Sequence, residues 1–398
     1  MMRISPKTAS VLPAEFVLAA ACCRWPLSAS ALSAIAQAAA QPIDWPYFMR
    51  IVARQRIAGL AAHALGAAGV GLPADIERAL AARAQRIARQ TLLLAAETIR
   101  LQRIFAAAGI PMISLKGSAL AQLAYGRLTL KHGRDIDILV PPEHALAGMA
   151  LLEASGYTLR DPAPEMSEAQ RRAFVAHGRE AEFTTQSDGG LRVELHWRLF
   201  DNALLLRGID AYSPVLEVPV SDGQVIRTFT EADLFAYLCV HGATHSWSRL
   251  KWLADFAALI ATRPGTEIVR LYRHAQARGA GLCAGQALTL ARDLLDLRLP
   301  PVIEAELAGH RRVQRLVTLA REAMIGVDAA TEPDLGPAAL TRTLLTRFLL
   351  GQGLAFYAAQ CRFVGVAIAD VIRFPLPPTL YFLYPVMRFP SWVWRRLR

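Results

Sequence analysis

Long apolar runs, paired cysteines and lysine are all scarce in this chain of 398 residues. No stretch approaches the roughly 20 uninterrupted apolar residues that a membrane-spanning helix needs, so none is expected. The five cysteines form no C-x-x-C pair, and their odd number argues against a disulfide framework. A reducing, cytoplasmic setting therefore fits best. Among the basic residues, arginine far outnumbers lysine.

Apolar residues and positive charge are what the sequence has in abundance. Hydrophobic residues make up 54% and charged residues 19% of the chain, as expected of a folded protein. The length allows two or three domains, and abundant alanine and leucine favour helices. The formal net charge of +11 suits anionic partners such as nucleotides, nucleic acid or phospholipid surfaces, without choosing among them.

Residues 16–23 faintly resemble the end of a secretory or lipoprotein signal. Pro13 and Glu15 interrupt this apolar stretch, and Ala19 stands where a lipoprotein cleavage box usually has a larger aliphatic residue. The favoured interpretation is therefore an ordinary first helix from about Pro13 to Cys23.

Changes in periodicity divide the chain into four predicted regions. Residues 1–95 are expected to be helical, and residues 96–220 interleave strands with helices as in a small α/β domain. Residues 221–330 return to a helical pattern, and residues 331–398 form a basic, aromatic tail. The predicted fold class is thus an α/β (α+β) core embedded in a mainly α-helical chain.

Local signals predict the individual elements of this plan. A long helix is expected from Pro73 to near Gly109, because its apolar residues recur on one face. Short apolar runs bounded by turn residues predict strands. The predicted strands cover residues 110–115, 135–140, 181–185 and 191–197, and the predicted helices beside them cover residues 119–125 and 143–155.

The strand at residues 135–140 carries the first chemical signal. Side chains at i and i+2 share a face of a strand, so Asp135 and Asp137 project together while Ile136 and Ile138 face the core. Two carboxylates at this spacing repel each other unless a cation lies between them. Oxygen ligands are what Mg²⁺ prefers, so the pair indicates a site for metal-bound phosphate.

Two further segments extend this site. On the strand at residues 191–197 the polar face carries Glu194 and His196, and Glu194 becomes a third carboxylate if the two strands are neighbours. Gly117 and Ser118 end a strand at the start of a helix, where exposed N–H groups form an anion site and Lys116 adds charge. The spaced glycines of a GxxxxGK phosphate-binding loop are absent.

This order of motifs resembles the polymerase-β-like nucleotidyltransferase superfamily, and within it the uncharacterised bacterial nucleotidyltransferase family. The resemblance covers roughly residues 15–330 and is specific between residues 110 and 200. The residues that carry it are Leu115-Lys116-Gly117, Tyr125, Arg134-Asp135-Ile136-Asp137-Ile138-Leu139-Val140, Glu194-Leu195-His196-Trp197, His241, His245, Trp252 and Asp255.

The resemblance implies a small mixed sheet, two Mg²⁺ or Mn²⁺ ions, and an NTP, with ATP first among the candidates. The nucleotidyl group would move to an unknown acceptor, a protein or a small molecule. Asp135, Asp137 and Glu194 would be the catalytic metal ligands. The residues expected to contact the nucleotide are Lys116, Gly117, Ser118 and Arg134.

Three histidines leave two interpretations open. His241 and His245 share a helical face, and His196 lies on the same strand face as Glu194. Each could contribute to a substrate pocket. Each could instead be a packed, hydrogen-bonded core residue, and the zinc-protease pattern is missing because no glutamate follows His241.

The tail from Arg342 onward has eight arginines, no lysine and a single acid, Asp370, together with many aromatic residues. This composition suggests either a membrane-surface segment or a basic helix that packs back on the body. Nucleic acid is an unlikely partner because no recognisable module is present. Three other functions stay open. They are a degenerate nucleotide-binding module, a membrane-associated interaction protein, and an antitoxin-like modifier of a partner protein.

Overall fold

The computed structural model describes residues 12–162, 165–185, 190–326, 328–331 and 343–388. This described chain is mainly helical and contains a mixed five-stranded sheet and a two-stranded hairpin. The architecture is the expected one, a small α/β core within a helical chain.

Four short helices precede the long one and share an apolar core with the second half of the chain. The first occupies the place expected from the sequence, and its Phe16 and Leu18 are fully buried. The four helices are α1 (Ala14–Ala21), α2 (Ala29–Ala39), α3 (Trp45–Gln55) and α4 (Ala58–Ala67).

Helix α5 (Ala74–Ala107) is the long helix predicted from periodicity. It begins after Pro73 and ends at Ala108, followed by Gly109 with a φ of 69°, as expected for these residues at helix ends. Its apolar stripe faces the core, so the predicted face is confirmed. The buried residues of that face are Ile76, Leu80, Ile87, Leu94, Leu101 and Phe105.

The sheet has the order β1-β2-β5-β4-β3, and its only parallel pair among the described strands is the central one, β2 with β5. The ladder on each side of that pair is antiparallel. The strands are β1 (Ile113–Ser114), β2 (Asp135–Leu139), β3 (Tyr157–Asp161), β4 (Glu180–Thr185) and β5 (Arg192–His196). Three predicted strands are confirmed, and the strand predicted at 110–115 is shorter.

Helices α6 (Ser118–Tyr125) and α7 (Ala145–Ala154) lie where helices were expected. Three elements escaped prediction: β3, helix α8 (Glu168–His177), and the hairpin of β6 (Val215–Ser221) and β7 (Gln224–Phe229). Pro219 explains the last case, because proline disfavours a strand and the ladder is irregular there.

The second half of the chain is helical, as predicted. Its helices are α9 (Glu231–Thr244), α10 (Leu250–Ile260), α11 (Gly265–Ala277), α12 (Gly281–Leu295), α13 (Pro301–Ala308), α14 (Arg311–Ile325), α15 (Leu354–Gly365) and α16 (Ile368–Arg373). Within the described part of the tail, Val371 and Tyr384 pack with Ala173 of α8. This part of the tail therefore packs back on the body.

The four predicted regions stay a prediction from sequence pattern. Helix α5 runs across residue 95, and strand β6 runs across residue 220. The sequence also predicts a linker in the acidic, proline-containing segment from Ala329 to Pro337, and residues 332–337 of this segment lie outside the described residues. Across the part of the chain that is described, every helix is too short or too polar to cross a bilayer. All five cysteines are free thiols.

Close packing at Gly242 gives a first testable prediction. A Cβ added to Gly242 would lie 2.3 Å from the ring of Trp247, which is fully buried. We expect Gly242→Ala to lower the free energy of unfolding by about 1–3 kcal/mol, the usual effect of overpacking a dense core. Chemical denaturation with guanidinium measures it.

Gly66→Ala is the matched control. Gly66 is exposed in α4, and a Cβ there meets nothing within 4 Å. This substitution is expected to raise the free energy of unfolding by up to about 1 kcal/mol, because alanine favours a helix over glycine. A Gly242→Ala protein as stable as Gly66→Ala would contradict the packing argument.

Candidate active site

The parallel pairing of β2 with β5 builds the site. Its register sets Asp137 beside Glu194, and Asp135 beside Arg192. Ile136 and Ile138 are 3% and 0% exposed, so the predicted inward face of β2 is confirmed. Asp137 is also buried, at 3% exposure, while Asp135 and Glu194 are partly exposed.

Asp137, Glu194 and His196 form a cluster in which one ligand atom from each lies within 4.8 Å of the others. Nε2 of His196 is 3.6 Å from Oδ1 of Asp137 and 3.7 Å from Oε2 of Glu194. Among the described residues, none donates a hydrogen bond of good geometry to Oδ2 of Asp137, although that atom is buried. Two carboxylates and an imidazole converging on such a point are a donor set that suits a divalent cation.

Asp135 lies outside that close cluster. It lines a cleft together with Asp137, Lys116 and Gly117, on the open side of the strand. Both residues of the D-x-D pair therefore line the cleft, and Asp137 also belongs to the buried cluster.

The Gly-Ser turn is where the sequence places it. Gly117 has φ 71° and ψ −132°, a conformation that glycine adopts readily, and it caps the start of α6. Ser118 is buried and lines the same cleft as Asp135 and Asp137. Arg134, in contrast, is exposed and contributes to neither part of the cleft. Its predicted contact with a nucleotide stays a prediction.

Lys116 occupies the cluster in this structure. Its Nζ is 2.9 Å from Oδ1 of Asp137. Burial alone would raise the pKa of Asp137, but Lys116 and His196 outweigh burial and hold that pKa well below its usual range. Burial likewise disfavours the charged form of Lys116, and the neighbouring carboxylate of Asp137 reverses this and raises its pKa. The site therefore stabilises a carboxylate by surrounding it with cations.

Glu180, at the start of β4, was not singled out by sequence reasoning. Its Oε2 lies 3.0 Å from Nδ1 of His196, on the side of the ring opposite Asp137. A carboxylate on one ring nitrogen with the other nitrogen free for a metal is a common arrangement around metal-binding histidines. Burial would lower the pKa of His196, but Asp137, Glu180 and Glu194 together raise it to about 10.

Two lysines complete the opposite wall of the cleft. Lys131 forms a buried ion pair with Asp255 at 3.2 Å, and Tyr125 donates a hydrogen bond to the same carboxylate at 2.9 Å. Lys251 also lines the cleft, and burial lowers its pKa to about 7. The chain has only four lysines, and the cleft contains three of them. The scarcity of lysine in the sequence could have indicated that these residues lie at the site, but it was not used in the sequence analysis.

His241 and His245 lie on two adjoining cavities. His241 lines the cleft beside Trp252, and its ring centroid is 4.7 Å from that of His245. His245 lines a neighbouring cavity together with Arg179 and Arg347. Burial lowers the pKa of both histidines, to about 3 for His245, so both rings are neutral near pH 7. Both are buried and line cavities, and their contribution to a substrate pocket stays a prediction.

A comparison with protein families assigns the chain to a group. The family model of uncharacterised nucleotidyltransferases matches residues 41–296. No curated protein matches the chain. Because the match covers more than half of the sequence, the chain belongs to the family of uncharacterised nucleotidyltransferases.

The pairing of Glu180 with His196 yields a prediction that needs no substrate. We expect Glu180→Gln to lower the pKa of His196 from about 10, because one of the three carboxylates that raise it is removed. An NMR titration of the imidazole in metal-free protein measures the change, with the resonance assigned from its loss in His196→Gln.

Glu182→Gln is the control, since Glu182 lies two residues along on β4 and pairs with Arg192 instead. It should leave the pKa of His196 nearly unchanged. Equal effects of the two substitutions would contradict a specific role for Glu180.

Proposed function

We propose that this protein is a metal-dependent nucleotidyltransferase that moves a nucleoside monophosphate from an NTP, most readily ATP, to an acceptor. The observation that carries the proposal is the β2–β5 register, which sets Glu194 beside Asp137, and Asp137 lines the same cleft as Gly117. Carboxylates that meet an anion-binding turn suit the transfer of a phosphoryl-type group. Membership of a nucleotidyltransferase family supports the same class of reaction.

The nucleotide would bind on the lysine side of the cleft. The positive-φ turn at Gly117 and Ser118 exposes backbone N–H groups at the start of α6. Lys131 and Lys251 approach from the other wall, carried by the chain before β2 and by α10. Ammonium groups on flexible stems can follow a triphosphate as it binds.

Asp135, Asp137 and Glu194 would hold Mg²⁺ or Mn²⁺, and Nε2 of His196 could be a further donor only after it gives up its proton. When bound, such cations neutralise the triphosphate and stabilise the attacking and leaving oxygens. Glu180 would keep His196 oriented through Nδ1, at its observed distance of 3.0 Å.

In the transfer, an acceptor oxygen forms a bond to the α-phosphorus and the bond from that phosphorus to the bridging oxygen breaks, releasing pyrophosphate. Glu194 would take the acceptor's proton. Positioning and charge neutralisation would supply most of the rate enhancement.

The cleft is narrow, and Lys116 would have to move for a nucleotide to bind. The cleft has a volume of about 20 Å³, on the order of a single water molecule. A triphosphate therefore enters only if side chains move, and the ammonium of Lys116 already occupies Asp137. Lys116 would leave the carboxylate as the metal arrives and turn toward the phosphates.

Transfer of label from each α-labelled NTP, with Mg²⁺ or Mn²⁺, tests the proposal. The acceptors offered are the protein itself, a whole-cell lysate and a protein-free extract. We expect label transfer by the wild-type protein and a loss of at least about a hundredfold in Asp135→Asn/Asp137→Asn, the scale expected when groups that stabilise the transferring phosphoryl charge are removed.

Asp222→Asn is the matched control, because Asp222 is exposed in the turn between β6 and β7. It should transfer label like the wild type. NTP binding is measured in the same samples. Binding without any transfer would instead support a degenerate nucleotide-binding module, and no metal-dependent binding of any NTP would overturn the proposal.

Lys251 gives a pH dependence. With its pKa lowered to about 7, Lys251 is mostly neutral at pH 8 and must gain a proton to pair with a phosphate. NTP binding should therefore take up protons near pH 8 and weaken as the pH rises through 7. Calorimetry in two buffers of different ionisation enthalpy measures the uptake.

Lys251→Met should reduce that proton uptake, whereas Arg86→Met, at an exposed position on α5 outside the cleft lining, should not. An unchanged uptake in Lys251→Met would show that Lys251 does not pair with the nucleotide.

A peripheral membrane contact is a second, independent part of the proposal. It rests on Phe382 and Val386, which are 69% and 70% exposed one helical turn apart in the tail.

We expect binding to anionic liposomes in a flotation assay, reduced several-fold in Phe382→Ser/Val386→Ser. The control is Leu92→Ser/Leu93→Ser, an equally apolar exposed pair on α5. Equal binding by both variants would remove the membrane proposal. Location in the cytoplasm stays a prediction.

A further inference from the structure

A cavity of about 1120 Å³ lies between the sheet and the C-terminal helices. Helix α8 and the chain around β4 and β5 form one wall, and α15 and α16 form the other. Its volume slightly exceeds the range of about 300–1,000 Å³ that is typical of pockets for small organic molecules. No part of the nucleotide cleft described above lines it.

The cavity is rich in guanidinium groups. The five arginines that line it are Arg179, Arg198, Arg347, Arg362 and Arg373, and the acids are Asp161, Glu180 and Asp201. Two positive charges are therefore in excess within the lining. Arginine is the side chain best suited to recognise carboxylate and phosphate groups, because its planar fork matches their geometry.

Arg347 is incompletely paired within the described chain, whereas its neighbour Arg179 also pairs with Glu180 at 2.7 Å. Arg179 and Arg347 share the carboxylate of Asp201, each at 3.7 Å. Nε of Arg347 is buried and has no hydrogen-bond partner among the described residues. Burial lowers the pKa of Arg347 and of Arg198. Guanidinium groups in such surroundings gain more from an added anion than exposed ones do.

The opposite wall is apolar. Phe363 of α15, Val366 directly after it, and Ile368 and Ile372 of α16 line the cavity and stay partly exposed. The guanidinium of Arg347 lies 5.6 Å from the ring centroid of Phe363, at the border between the two surfaces. A ligand that satisfies both walls has an apolar body and an anionic group.

One residue joins this cavity to the candidate active site. Glu180 lines the cavity, and its carboxylate is 3.0 Å from His196 of the Asp137 cluster. The cavity therefore approaches the cluster from the β4 side, while the lysines and Gly117 approach it from the side of α6 and α10. A two-substrate transfer needs such a division, with one substrate on each side of the reacting phosphorus.

We propose that this cavity binds the acceptor, and that the acceptor is a small organic anion with an apolar body and a carboxylate or phosphate group. The acceptor role rests on the proposed nucleotidyltransferase function, whereas anion binding in the cavity does not depend on it. Arg347 and Arg362 pair with the anionic group, and the α15–α16 wall covers the apolar body. The end of the bound molecule nearest the cluster then lies against Glu180, on the Nδ1 side of His196.

The test uses two fluorescent probes on the full chain: anilinonaphthalene sulfonate, which is anionic, and phenylnaphthylamine, which has the same rings without the sulfonate. We expect saturable binding of the anionic probe, weakened about fivefold or more by Arg362→Gln or Arg347→Gln and retained in Arg362→Lys. Arg86→Gln, at an exposed position on α5, should bind like the wild type. Competition by naphthoate and by naphthyl phosphate then distinguishes a carboxylate from a phosphate ligand.

Unchanged binding of the anionic probe in both glutamine variants would overturn the proposal, as would an equal loss for the neutral probe. Asp135→Asn/Asp137→Asn should keep the probe site and lose transfer, whereas Arg362→Gln should keep NTP binding and lose transfer to the small-molecule extract. Failure of the wild type to bind any NTP while the anionic probe binds as expected would remove the acceptor role alone. Normal transfer by Arg362→Gln to every acceptor would likewise show that the acceptor binds elsewhere.

Discussion

Burial of the Asp137 carboxylate is the constraint on which the site depends. A buried charge is costly unless cations or hydrogen bonds compensate it. Here the compensation comes from Lys116 at 2.9 Å and His196 at 3.6 Å, and it requires three separate segments to meet. The β2–β5 ladder supplies His196, the turn before α6 supplies Lys116, and β4 supplies the Glu180 that supports His196. Removing Asp137 would leave these cations buried without their partner.

The protein uses its two kinds of cation on different sides of this carboxylate. Three of its four lysines line the cleft, and five of its arginines line the larger cavity. Lysine is a compact charge on a flexible stem, suited to phosphates that move during a reaction, while arginine is a rigid fork suited to a fixed anion. The lysines and arginines of the chain therefore line two different sites, which the net charge alone does not show.

Much of the fold could be predicted, because periodicity is a local property. The long helix α5 and the strands β2, β4 and β5 follow directly from it. Helix α8 was missed although Ser167 and Gln170 form a capping box at its start. Strand β1 proved short, because its ladder with β2 covers only Ile113 and Ser114, and Leu115 adds a single hydrogen bond to Asp137. Strand β6 was missed because Pro219 disfavours a strand in isolation.

The sequence by itself determined which residues have the chemistry of the site. Asp135, Asp137 and Glu194 share strand faces by alternation, and Gly117 can adopt its positive φ because it lacks a Cβ. Only the tertiary structure decided that β5 lies parallel to β2 in the register that pairs Asp137 with Glu194. It also brought Glu180, Lys131 and Lys251 to the site. Such contacts join segments far apart in the chain, and their geometry depends on the packing of the whole core, which no local pattern encodes.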